Sequence, residues 1–324
     1  MESVEGVPSE GTELMALGYR GSSAVVLARA LSTTLLTSQA VGANTWQHQA
    51  MRWRVVERIC LSNPDKSYCE DLCAQTGGLT WLLDGATPVG KARRHKESDA
   101  LWLVETFDRL VREEKVKGHA GLRELLEGVC LRMEPELAGV NWEEGEGPVA
   151  SMEMAWLHEG TIEHVHFGDT VACLESKEGS FEAEPIDQRL AELDAETATQ
   201  TRLARANGEV VDVTKWRGRI HEQRKRFANQ PGGYSIFTGE RACLQRGRWT
   251  KVEAFEKQHV LLYSDGFTRV LDFGVASHVR EFCQGGLMEA ALRLRAAERE
   301  DARGEKVARL KQFDDVSALL LQVE

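Results

Sequence analysis

Four times along this chain an apolar run meets an aspartate. Leu82-Leu83 leads into Asp84-Gly85, and Val165 to Phe167 passes through Gly168 into Asp169. Leu261-Leu262-Tyr263-Ser264 leads into Asp265-Gly266, and Asp314-Asp315 stands immediately before Val316 to Leu321. One Asp-Gly after a strand is ordinary turn chemistry. Four such sites constrain the fold, because carboxylates at the ends of neighbouring strands converge in space. Converging carboxylates repel one another unless a cation sits among them. Oxygen-only ligands suit hard ions, which points to Mg²⁺ or Mn²⁺. A glycine after the aspartate lets the backbone approach closely, so that its carbonyl can join the ligand set.

A carboxylate bridging two such ions, roughly 3.5–4 Å apart, lowers the pKa of a shared water and neutralises charge developing on a phosphoryl group. The pattern therefore predicts two-metal hydrolysis of a phosphoester.

The rest of the chain supplies a mixed scaffold. Residues 1–50, rich in Gly, Ser and Glu and then in Ala, Leu, Ser and Thr, read as an N-terminal extension that is partly disordered or helical. The domain boundary falls near Met51, and residues 51–324 form the second unit. Strands are expected from Trp53 to Ile59, Leu79 to Leu83, Met152 to Leu157, Thr161 to Phe167, Thr170 to Leu174, Tyr234 to Phe237, Ala242 to Leu244, Val260 to Tyr263 and Val316 to Val323. Helical spacing runs through Leu101, Val104, Phe107, Leu110 and Val111, and again through Leu122, Leu125, Leu126 and Val129. Charged helix is expected over 186–228 and from about Met288 to Leu310. Meandering strands with helices grouped between them indicate an α+β layered fold rather than βαβ alternation.

Charge narrows the function classes. With 40 Lys plus Arg against 51 Asp plus Glu, the net charge is −11, which disfavours nucleic acid and anionic membranes as partners. The basic stretch Arg217, Arg219, Arg224, Lys225 and Arg226 reads as a solvated helix face. No apolar run reaches the roughly 18–20 residues of a membrane span, the acidic N-terminus is unlike a secretory signal, and seven scattered cysteines suit a reduced, cytoplasmic protein. His164 and His166 alternate on one strand and so share a face; they read as satisfied surface or core histidines rather than a metal pair. His95 is a weaker candidate proton donor.

The motifs also resemble a known family, the type 2C metal-dependent serine/threonine protein phosphatases, in a bacterial-like form. From Met51 onward, five motifs fall in the family's order. Cys69-Glu70-Asp71 resembles its early acidic motif, and Trp81 to Thr87 its central Asp-Gly motif. Ser151 to Asp169 resembles the strand pair closed by Gly-Asp-Ser. Leu262 to Phe267 resembles its Ser-Asp-Gly motif, and Asp314-Asp315-Val316-Ser317 the final acidic pair. The resemblance implies a four-layer αββα sandwich, two antiparallel sheets packed face to face with helices outside. It implies that Asp84 bridges two metals, that the Gly85 carbonyl binds the second, and that Asp265 and Asp314 complete the first. Glu70 and Asp71 would act mainly through bound waters, and Asp169 with Asp265 would match a third metal position. It further implies phosphoserine and phosphothreonine in proteins as substrates.

This sequence departs from the family pattern in three places. Lys66 stands where an arginine often grips phosphate, and lysine lacks the bidentate fork. Ala86 stands where many members carry a histidine, and Arg269 where many carry an acidic residue. Two rival readings follow. One is an inactive binding or regulatory protein on the same fold. The other is a P-loop NTP hydrolase, because Gly85 to Lys91 fits G-x-x-x-x-G-K after an apolar strand; Ala92 and Pro88 weigh against it.

Overall fold

In the computed structural model of the chain, the residues described are 51–324 except 87, 88, 90–93, 95, 96, 116, 184–186, 210 and 212; side chains at 182 and 213–215 are likewise left undescribed. The N-terminal extension, His95 and most of the Gly85–Ala92 segment therefore lie outside the described residues. Contacts group residues 49–324 into one unit.

In chain order the elements are β1 (Trp53–Leu61), β2 (Asp71–Thr76), β3 (Leu79–Ala86), α1 (Asp99–Lys115), α2 (Leu122–Leu137), β4 (Val149–His158), β5 (Thr161–Phe167), β6 (Val171–Glu175) and β7 (Phe181–Ala183). They continue with α3 (Gln188–Ala206), α4 (Val213–Phe227), β8 (Arg248–Glu253), β9 (His259–Tyr263), α5 (Asp265–Asp272), α6 (Leu287–Glu300) and β10 (Val316–Val323). The strands form two sheets of five, ordered β1-β10-β9-β6-β7 and β2-β3-β4-β5-β8. Every pairing in them is antiparallel.

The layering follows from strands that are apolar on both faces. In β3, Trp81 and Leu83 pack under α1 and α2, against Leu103, Phe107 and Leu126. Leu82, on the opposite face, meets Leu262, Leu319 and Leu321 of the other sheet. In β10, Leu320 turns instead towards α5 and α6, with Phe267 and Leu294. Two-sided burial explains why these strands read as continuous apolar runs. The arrangement is helix, sheet, sheet, helix, the four-layer sandwich expected.

Four local expectations are corrected. Residues 234–237 do not form a strand. The backbone groups at the middle of the segment go to side chains: Asn229 donates to the Ile236 carbonyl (2.9 Å) and accepts from its N–H (3.0 Å), and Asp187 accepts from Ser235 (3.0 Å). Phe237 makes only an isolated bridge to Ala150. Residues 242–244 lie in a 3-10 turn, Arg241–Gln245. The last helix stops at Glu300, because the Asp301 carboxylate accepts from the backbone of Glu305, Lys306 and Val307 and pairs with Arg309 at 2.7 Å. That wraps the chain into a turn where charge pattern alone suggested more helix. The single charged helix expected over 186–228 is also two helices, α3 ending at Asn207.

The strict antiparallel pairing of β3 with β2 and β4 removes the P-loop reading, which requires a parallel strand followed by a crossover. His164 and His166 are core histidines: both bond to the fully buried Glu153, at 2.5 and 2.6 Å, although the Nε2 of His166 is buried without a partner among the described residues. The seven cysteines are free thiols. No helix among the described residues is long and apolar enough to cross a membrane.

Candidate active site

The acidic residues gather where the ends of the two sheets meet. Asp71 and Asp84 are directly paired across β2 and β3, and Asp84 is paired with Ser151 across β3 and β4. Opposed residues on a pleat point to the same side. Asp84 lies two residues from Leu82, so that side is the inter-sheet side. From the other sheet, β9 runs through Ser264 into Asp265, the first residue of α5, and Asp314 precedes β10. Ser264 donates its N–H to the Ser317 carbonyl at 3.0 Å, which holds these two strand ends together. The sequence suggested a turn at Asp265-Gly266; instead a helix begins there, where its N-terminal dipole favours a carboxylate.

Two glycines permit the close packing. A Cβ on Gly85 would lie 2.6 Å from the Glu70 carbonyl oxygen, and one on Gly266 would lie 1.9 Å from that of Asp315. Gly266→Ala is therefore expected to cost about 2 kcal/mol or more, read as a lowered denaturant midpoint at unchanged slope.

Asp84, Asp169, Asp265 and Asp314 line one cavity of about 450 Å³, a volume suited to a small ligand or reacting group. Helices α3 and α4 supply its other wall through Leu193, Asp194, Ile220 and Arg224. Asp187 starts α3 by accepting from the N–H groups of Arg189 (3.0 Å) and Leu190 (3.4 Å).

Electrostatics separate the carboxylates into two kinds. Burial pushes Asp84 well above the usual carboxylate range, and the charges of Asp71, Asp265, Asp169 and Asp314 push it further. Burial and then Asp265 raise Asp169 to about 6, against a hydrogen bond from Ser151 (2.5 Å). Asp194 is raised to about 8 by burial, then by Asp169 and Asp265. Asp314 behaves oppositely. Burial would raise it, but Lys311 (2.9 Å) and Arg269 (3.0 Å) overcome that and hold it at about 2. Burial opposes the Lys311 ammonium, yet Asp314, Asp265 and Asp84 together raise its pKa.

Among the described residues, no three His, Cys, Asp or Glu side chains are close enough to form a ready-made metal site. The donor chemistry nevertheless fits a hard divalent ion at Asp84 and Asp265. Neither has an ion pair or side-chain hydrogen bond among the described residues. Asp71 Oδ2 is likewise buried without a partner. Asp314 fits less well, since both its oxygens are engaged.

The remaining expected residues stand back from the cavity. Glu70 is buried, bonded to Lys66 and Ser98, and its N–H donates to Asp315 at 2.8 Å. Lys66, expected to grip phosphate, is committed to Glu70 and does not line the cavity. Sequence reasoning missed Asp194, Lys311, Arg217 and Arg224. The last two were assigned to a solvated face, and that assignment is corrected. Seven residues apart on α4, two helical turns, they share the face that lines the cavity. Arg219 and Lys225 pair elsewhere, with Glu196 (2.7 Å) and Glu144 (3.6 Å). The seven-residue spacing was the available signal.

No family model and no curated protein matches the sequence. The likeness is to solved bacterial PPM-type phosphatases. The catalytic domain of the serine/threonine protein phosphatase PstP, in complex with two manganese ions, is 15% identical with a TM-score of 0.46, covering 84% of this chain and 99% of that one. Mycobacterium tuberculosis PstP/Ppp is 16% identical with a TM-score of 0.47, covering 85% and 99%. The PPM Ser-Thr phosphatase MsPP from Mycobacterium smegmatis, in complex with cacodylate, is 15% identical with a TM-score of 0.46, covering 82% and 96%. At this depth of similarity no residue role transfers from them.

Proposed function

We propose that this chain is a cytoplasmic, Mg²⁺- or Mn²⁺-dependent phosphomonoesterase of the type 2C kind, acting on phosphoserine or phosphothreonine in proteins. The observation that carries the reading is the convergence of Asp84, Asp169 and Asp265, drawn from both sheets, on one cavity. Asp84 and Asp265, with the Gly85 carbonyl, would hold the ion, and Asp169 would extend the set on the side where Ser151 orients it. A bound divalent ion there supplies an activated water and a positive field for the phosphoryl oxygens.

The chain's own groups do the rest. Arg224, and Arg217 two turns before it on α4, line the cavity, and guanidinium geometry suits phosphoryl oxygens. They take the role first assigned to Lys66. Asp71, opposite Asp84, adds negative charge behind the ligand set and strengthens its demand for a cation. Ala86 offers no proton to the leaving group, so another group on the cavity, or water in it, would supply it.

The test uses an aryl phosphate and a phosphothreonine peptide, with Mn²⁺ and then with chelator. Chelation is expected to lower turnover at least about a hundredfold, roughly 2.7 kcal/mol of barrier, and added Mn²⁺ to restore it. Turnover that persists in fully metal-free protein would remove the mechanism. The engagement of Asp314 by Lys311 and Arg269 favours a second reading, a binding protein on the same fold. Metal-dependent capture of phosphopeptide without turnover would support that one.

A further inference from the structure

Asp314 differs from every other carboxylate on the cavity. Its Oδ1 accepts from Lys311 Nζ at 2.9 Å and its Oδ2 from Arg269 Nη2 at 3.0 Å. These cations are held in place. Arg269 also bonds Glu298 Oε1 at 3.1 Å, and Glu298, wholly buried, is tied in turn to Arg295 at 2.8 Å. Lys311 itself lines the cavity with Asp84 and Asp265.

We propose that Lys311, supported by Arg269, is a built-in cation that takes the place of one divalent ion, so that the chain binds a single metal ion on the Asp84–Asp265 side. The proposal rests on the metal-dependent reading above and deepens it. A carboxylate whose two oxygens already accept from charged N–H groups is a poor metal ligand. A second divalent ion at Asp314 would also sit against an ammonium and a guanidinium with little water to screen them. One divalent ion together with the two side-chain cations brings the same formal positive charge as two divalent ions. The acid-rich end of the cavity is therefore balanced with one ion fewer. Lys311 lies in the segment just before β10, at the same rim as Asp265, so no rearrangement of the sheets is needed for it to serve.

The experiment measures Mn²⁺ stoichiometry on the full chain, by titration calorimetry and by metal content after equilibrium dialysis. Wild type is expected to hold about one ion. Lys311→Met should gain a second, at least about tenfold tighter than any second binding to wild type. Lys311→Gln, a polar replacement, should do the same, with circular dichroism confirming that both variants are folded. A wild-type chain that binds two ions overturns the proposal and leaves the metal-dependent reading standing. Folded variants that gain no ion also overturn it. A wild-type chain that binds none overturns both. The wild-type stoichiometry decides the matter even if neither variant folds.

Discussion

Asp84→Asn is expected to lower Mn²⁺-dependent hydrolysis of an aryl phosphate by about a thousandfold or more, roughly 4 kcal/mol of barrier, without unfolding the chain. Asp84 occupies the centre of the acidic set. It is paired in register with Asp71, opposite Ser151, and faces Asp265 and Asp169 across the cavity. An amide of the same shape keeps the packing of β3 but removes the charge that would hold the ion. Without metal, the substitution also deletes one of several buried charges that repel one another. The thermal midpoint of metal-free protein should therefore stay level or rise. Loss of activity together with a fall in that midpoint would mean that Asp84 acts through folding. Retained turnover would mean that the residue lies outside the reaction.

Glu298→Ala is expected to destabilise the chain by about 3–5 kcal/mol, since removing one partner of a buried charge network leaves the others uncompensated. Glu298 is fully buried on α6 and joins Arg269 of α5 to Arg295 of its own helix. Arg295 also donates to the Asp314 carbonyl, so the network fixes the segment before β10. The melting midpoint should fall by about 10 °C. Glu298→Gln, which retains an acceptor, should lose less. A change below about 1 kcal/mol in the alanine variant would show that apolar packing of α6, through Leu294 and Ala291, carries this layer unaided.

Much of this was readable before any coordinates. The strand at Leu79–Leu83 and the helix through Val104, Phe107 and Leu110 follow from burial on one face or two, and periodicity records burial. β2 and β8 were missed because each carries only a few apolar residues and borrows its stability from a neighbour in the sheet. Residues 234–237 look like a strand by composition, yet Asn229 and Asp187 capture backbone groups of Ile236 and Ser235. Helix α5 was read as a turn because Asp-Gly is a turn pair locally, whereas the apolar stripe Phe267 and Val270 draws it onto the sheet.

The order of residues fixed which chemistry is available: aspartates at the close of apolar runs, glycines beside three of them, and oxygen donors for a hard cation. Those features are local and survive in one dimension. The strand order of the two sheets decided which aspartates meet, and side-chain reach decided what else meets them. Arg269 lies 45 residues from the Asp314 it pairs with, and Arg224 comes from α4, so what they meet depends on how the layers close, whereas Lys311 stands only three residues from Asp314. Coulombic pairing falls off with separation in space and is indifferent to separation along the chain; that is why the candidate aspartates could be listed in advance and a partner as remote in sequence as Arg269 could not.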